Sequence, residues 1–337
     1  MTNGWIDRSL PLSRRGLRIC LYVVGCLLFA WHARTQEAPA QTSQAIKVKV
    51  ARVNVGVVVT DEKGKFVEGL QREAFHVFDN ASEQPITEFT PVEEPGQVLL
   101  LVEAGPAAYF LQDANRFAAD TMLKGLSPED RVAIVRYTDA PLALLDFTAD
   151  KSTARDALQS IQFNLGFADL NLSSSLNTVL DWLERVPGKK TIVLISTGVD
   201  TSPASAVSAL QSRLQAADVP ILCVSTSGPL RNGKQGNKTK IQQTQSEFQA
   251  ADQRLHWIAE SSGGRAYFPM NAKAFQETYR DVAQIVRHEY SLAFAPPVAD
   301  GALHKIEVKV DRAAAMEKSK PPAFRLDYRK GYLAPRE

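Results

Sequence analysis

The sequence predicts an α/β chain, with a mostly parallel sheet flanked by helices and a smaller β-sandwich-like unit formed by the N- and C-terminal segments. Two observations carry this expectation. From Val98 to Arg287, apolar runs of strand length alternate with stretches of helical periodicity, as in a parallel sheet covered on both faces. On either side, residues 46–95 and 289–333 alternate apolar and polar residues and are broken by turn residues into short strands. The 337 residues suffice for two or three domains. The 39 basic and 37 acidic residues leave a net charge of +2. That balance supplies no concentrated basic face, so nucleic acid is not an expected partner.

Residues 1–40 read as a signal peptide or anchor. Arg14, Arg15 and Arg18 precede an apolar run from Ile19 to Trp31, and Ala38-Pro39-Ala40 resembles a cleavage site. The run is shorter than the about 20 residues that span a bilayer core. Ser13-Arg14-Arg15 also resembles a twin-arginine signal, and Val23-Val24-Gly25-Cys26 a lipobox that would make Cys26 a lipid anchor. The expected location is therefore periplasmic, cell-envelope or secreted, with membrane contact only through this segment. Cys20 and Cys26 fall inside it. A mature chain would keep Cys223 alone, which excludes an intrachain disulfide and reads as a small buried hydrophobe.

In the 46–95 unit, Val48 and Val50 share one face and Val53, Val55, Val57 and Val59 the next, so a bulge is expected near Arg52. Asp61–Lys65 is a turn, with Gly64 free to take a positive φ. Phe75, Val77 and residues 85–90 add short strands. In the 96–288 region, strands are expected at 98–102, 131–137, 143–147, 190–196, 219–224 and 265–268, with Leu144–Phe147 as an antiparallel edge. Helices are expected at 107–124 (Phe110, Ala114, Phe117, Ala118), 171–186 (Leu172, Leu176, Val179, Leu180, Leu183), 203–216 and 272–287 (Phe275, Tyr279, Val282, Val286). Ser202 is the expected N-cap of the third helix, with Pro203 at its first position. Ser225–Glu247 is polar and basic and reads as a long mobile surface loop. After residue 288, "EYSLAFAPP" and "HKIEVKV" are strand-like, the latter with Ile306, Val308 and Val310 on one face. The order of segments predicts that residues 289–333 pack with 46–95, the α/β region being inserted between them.

Signatures of catalysis are missing. No phosphate-binding G-x-x-x-x-G-K-[ST], dinucleotide G-x-G-x-x-G after a strand, or G-x-S-x-G elbow occurs. His32, His76, His256, His288 and His304 show no metal-ligand spacing. Trp182, Trp257, Tyr290, Tyr328 and Tyr332 read as packing residues before they read as a binding platform.

"VVVTDEKGKFVEGLQREAFHVFDNASEQPITEFTP" and the tail "EYSLAFAPP…HKIEVKV…YRKGYLAP" resemble the bacterial, largely acidobacterial, VWFA-related secreted proteins. "SPEDRVAIVRY", "LLDFTAD", "KKTIVLISTGVD", "AADVPILCVS" and "ESSGGRAYF" resemble a von Willebrand factor A domain. The resemblance implies a Rossmann-like fold, a protein-interaction or adhesion role, and a metal-ion-dependent adhesion site at the carboxyl edge of the sheet. In that site a D-x-S-x-S loop, a Thr and a second Asp supply oxygen ligands to Mg²⁺ or Mn²⁺. Here those positions fall on Glu103, Gly105 and Ala107, on or near Leu170, and on Thr197. Only Glu103 and Thr197 keep a side-chain oxygen, which does not hold an octahedral cation that dehydrates reluctantly. The expectation is a degenerate site with no cofactor, Mg²⁺ or Mn²⁺ entering only through a rearranged set such as Glu103, Asp169 and Asp200. The expected function is a non-enzymatic interaction module contacting an unnamed protein partner through Glu103, Gly105, Pro106, Asp169 and Asp200. Two alternatives are an oligomerising envelope scaffold and a hydrolase that uses Glu103 with Asp169 or Asp200.

Overall fold

The computed structural model describes residues 52–91, 95–106, 112–164, 169–216, 218–229, 238–311 and 323–336. The signal-like segment, Val48 and Val50 on one side of the bulge expected near Arg52, and Ala107 lie outside these. Among the described residues no helix is long and apolar enough to cross a membrane.

The central sheet has six strands: β5 (Gln97–Glu103), β6 (Arg131–Tyr137), β7 (Pro141–Thr148), β8 (Lys190–Ser196), β9 (Ile221–Ser225) and β10 (Ala266–Tyr267). Their order is β10-β9-β8-β5-β6-β7, parallel throughout except for β7, which runs antiparallel along the edge. Strand alternation divides β5 between two cores. Val98, Leu100 and Val102 face one side, against Met122 and Leu123 of α1 (Gln112–Gly125), Ala154 and Leu158 of α2 (Lys151–Gln159), and Phe275, Tyr279 and Val282 of α6 (Ala272–Arg287). Leu99 and Leu101 face the other, against Leu172, Leu176 and Val179 of α3 (Leu172–Leu183), Leu210 and Leu214 of α4 (Ala204–Ala216), and Leu255 and Ile258 of α5 (Lys238–Ser262).

Two antiparallel sheets flank this body in sequence: β13-β1-β11-β4 and β14-β12-β2-β3. They comprise β1 (Val53–Thr60), β2 (Phe75–Asp79), β3 (Ser82–Gln84), β4 (Ile86–Thr90), β11 (Glu289–Phe294), β12 (Leu303–Val310), β13 (Arg325–Asp327) and β14 (Gly331–Leu333). β1 from the N-terminal side pairs with β11, and β2 with β12. The odd-numbered valines 53–59, Phe75, Val77, Leu292, Ile306, Val308 and Tyr332 form one core between the two sheets. Tyr290 fastens the 67–70 loop to it, donating from its hydroxyl to Val67 O (2.9 Å) and accepting from Leu70 N–H (3.1 Å). Gly64 takes φ +78°, as the turn requires, while the Asp61 carboxylate accepts from the amides of Lys63 and Lys65.

Several expectations are corrected. The loop expected over Ser225–Glu247 ends in helix: α5 begins at Lys238 and runs to Ser262. Its first turns are polar, so periodicity gave no signal there. Helix α2 was not expected. Its run is short, and its buried contacts reduce to Ala154 and Leu158. Ser202 does not cap its own helix. Pro203 O accepts the first bond of α4, and the Ser202 hydroxyl accepts from Ser174 N–H (3.1 Å) at the start of α3. The expected side-chain stripe Phe110, Ala114, Phe117 and Ala118 lies outside the described side chains. α1 itself buries Ala119, Met122 and Leu123.

Candidate functional site

Parallel strands deliver their last residues to one edge, and at β5, β6 and β8 those residues are Glu103, Tyr137 and Ser196. Glu103 and Tyr137 are opposite each other in the ladder, and β8 lies on the other side of β5. Glu103 is 1% exposed. Its Oε2 accepts from Thr197 N–H (2.8 Å), the Thr197 hydroxyl (2.8 Å), the Ser196 hydroxyl (2.9 Å) and the Tyr137 hydroxyl (3.4 Å), and Thr197 Oγ1 stands 3.0 Å from Oε1. The Tyr137 and Ser196 hydroxyls also stand 2.8 Å apart, so the single Tyr137 proton is shared between Ser196 and Glu103, and Gly198 N–H donates to Ser196 Oγ (2.9 Å). Burial pushes the Glu103 carboxyl up, and the donors from Thr197, Ser196 and Tyr137 oppose that rise. Burial, and next the Glu103 charge, push the Tyr137 phenol well up.

The two residues that kept an oxygen at metal-ligand positions therefore bond to each other. Thr197 turns a backbone N–H and a hydroxyl toward Glu103, and the Ser196 and Tyr137 hydroxyls stand within reach of the same oxygen. At Gly105, a Cβ would stand 2.7 Å from Leu170 Cδ2, so the Leu170 methyls fill the space where a second ligand side chain would project. Among the described residues no group of three or more His, Cys, Asp or Glu is arranged to hold a metal.

Asp200 is a correction too. Its side chain is 1% exposed and serves the start of α3, accepting from Ser173 Oγ (2.5 Å) and Ser173 N–H (3.3 Å), and it also accepts from Ser202 N–H (3.0 Å). Burial acts upward on its carboxyl, but these donors outweigh it and hold it below the usual range. Arg254 Nε lies 3.9 Å away, and its Nη1 donates to Gly198 O (2.6 Å). Glu103 and Asp200 therefore present no carboxylate to a partner. Asp169 and Val199 are exposed and Pro106 is half-buried. Tyr137 and Arg254 were missed because only the strand order and the path of α5 bring them to this edge. A hydroxyl ending an apolar run, as in "VAIVRY", was the available signal for Tyr137.

Residues 110–199 match the family model of the von Willebrand factor type A domain. The chain carries a von Willebrand factor A-type domain. No curated protein matches it significantly. Among solved structures it is similar to a von Willebrand factor type A protein from Catenulispora acidiphila, at 9% identity over 86% of this chain and 75% of that one, TM-score 0.46. It is similar to an aerotolerance-related membrane protein from Bacteroides fragilis, at 12% identity over 57% of this chain and 98% of that one, TM-score 0.42. It is also similar to BatB from Bacteroides thetaiotaomicron, at 14% identity over 58% of this chain and 100% of that one, TM-score 0.41. In this von Willebrand factor A-type domain the first helix after Glu103 and the Thr197 turn fall within or beside the matched stretch.

Proposed function

We propose that this chain is a non-enzymatic protein-interaction module of the cell envelope or exterior, whose sheet-edge site engages its partner without a divalent cation. The observation that carries this reading is the bond network in which Thr197, at the position of a ligand aspartate, donates to Glu103. A carboxylate already holding the Thr197 N–H, the Thr197 hydroxyl and the Ser196 hydroxyl has little left for a metal. The rim keeps Pro106, Asp169 and Val199 for a partner that docks by shape and hydrogen bonds. The enclosure of Glu103 and Asp200 supports the absence of acid–base catalysis. Export rests on the signal-like residues 1–40.

The test is capture of envelope proteins on the immobilised chain, in Mg²⁺ and in EDTA, with metal analysis of the purified protein. The same partner retained in both buffers, with no stoichiometric metal, is the expected result. A partner released by EDTA, or one equivalent of bound Mg²⁺ or Mn²⁺, overturns the reading.

A further inference from the structure

At the amino edge of the central sheet, the outer face of the β13-β1-β11-β4 sheet and the loops before β8 and β9 enclose a cleft of about 470 Å³. That is within the size range of small-molecule sites, and clefts between packed units are where such sites concentrate. Small residues form its floor: Gly56 of β1, Ser291 of β11 and Thr90 of β4 lie opposite one another across three strands.

Glu289 lines this cleft with a side chain only 8% exposed. Among the described residues no group donates a hydrogen bond to its carboxylate. The Lys189 ammonium stands 3.9 Å off and is directed to the carbonyls of Val286 (2.7 Å) and Glu289 (3.1 Å). Gly56 makes the room, since a Cβ there would lie 2.0 Å from Glu289 Oε1. A glycine inside a strand weakens it and often marks a close approach. The other carboxylates of the cleft already hold donors: Glu88 from Arg52, Glu184 from Arg213, and Asp218 from Asn54. Burial pushes the Glu289 carboxyl up against the pull of Lys189, as expected of a carboxylate short of donors.

We propose that this cleft binds a ligand bearing a primary ammonium, which gives Glu289 the hydrogen bonds it lacks while the body of the ligand lies over the Gly56–Ser291–Thr90 floor. An ammonium has three donors and a compact charge. Glu289 accepts one or two of them, and the Ser291 or Thr90 hydroxyl takes another. A divalent cation finds here one carboxylate without hydrogen-bond donors, beside a fixed ammonium, which leaves too few free oxygens. The site is at the opposite edge of the sheet from Glu103 and is independent of the reading above.

Calorimetric titration with cadaverine and with glucosamine tests it, with 1-pentanol and glucose as neutral matches. Saturable binding of an ammonium probe and none of its neutral match is expected. Tighter cadaverine points to an alkylammonium of the lysine type, and tighter glucosamine to an amino sugar. Glu289→Gln weakens binding by roughly ten-fold to a hundred-fold, the worth of a charge-assisted hydrogen bond. Ser291→Tyr, which fills the floor and leaves Glu289 in place, abolishes it. Cooperative melting of both variants is the control for folding. Absence of binding by the wild type, equal binding of the neutral matches, or undiminished binding by folded Glu289→Gln overturns the proposal.

Discussion

Glu103 illustrates how one side chain can be indispensable to a fold without touching a ligand. Replacing it by alanine leaves the Thr197 amide and the hydroxyls of Thr197, Ser196 and Tyr137 without their acceptor in a dry site. Each orphaned buried donor costs about 1–3 kcal/mol, so Glu103→Ala should lower unfolding free energy by at least about 3 kcal/mol in urea titration. The pH response has a definite sign. The folded carboxyl sits above its unfolded value because it is buried. Its favourable contribution is therefore complete below the ordinary glutamate range and is lost as pH rises through the raised folded value. Glu103→Gln does not titrate. The wild-type advantage over that variant in denaturation midpoint should shrink as pH climbs through that window, and a constant difference would contradict the assignment.

At the scale of elements, the ends of helices and strands carry the tests. Asn271 caps α6 by accepting from Ala274 N–H at 3.0 Å, so Asn271→Ala should cost about 1 kcal/mol and Asn271→Ser little, by thermal or urea unfolding. His304 of β12 ties three pieces together, with Nδ1 at 2.7 Å from Asp79 of β2, Nε2 at 3.2 Å from Asp300, and Tyr332 of β14 donating to Asp79 at 2.9 Å. Burial pulls this imidazole down, and Asp79 and Asp300 more than compensate, leaving it raised. The stabilisation is full below the ordinary histidine range and fades as pH rises through the folded value. The stability gap between wild type and His304→Asn should therefore close on the alkaline side. These elements also show what sequence could disclose. The odd valines of β1, the apolar run of β5 and the stripe of α6 announce themselves because each buries a face with a fixed period. The polar opening of α5 and the short α2 bury too little to register. At the site, the loss of ligand side chains at Gly105 and Leu170 was legible. The inward turn of Glu103 and Asp200 was not, because it depends on donors supplied by β6, β8 and the Thr197 turn after it, the start of α3 and Ser202.

In the whole molecule, the α/β body leaves the sandwich after β4 and returns to it through His288, a single residue between α6 and β11. Lys189 seals that junction, 4% exposed, donating to the Val286 carbonyl of α6 and the Glu289 carbonyl of β11 and facing the Glu289 carboxylate. Lys189→Met would strand those carbonyls and the buried carboxylate, a loss of about 3–5 kcal/mol. Wild type should unfold in one calorimetric transition, because both layers share the seal. A two-step melt in the wild type would show that they fold apart. Gly96, before β5, lies against Val286 near the end of α6, so both connections meet at the amino edge, opposite the Glu103 rim. Tension between a partner held at that rim and an anchor on the sandwich would therefore run along the strands, loading the five hydrogen-bonded ladders of the central sheet side by side in shear instead of peeling them open one bond at a time.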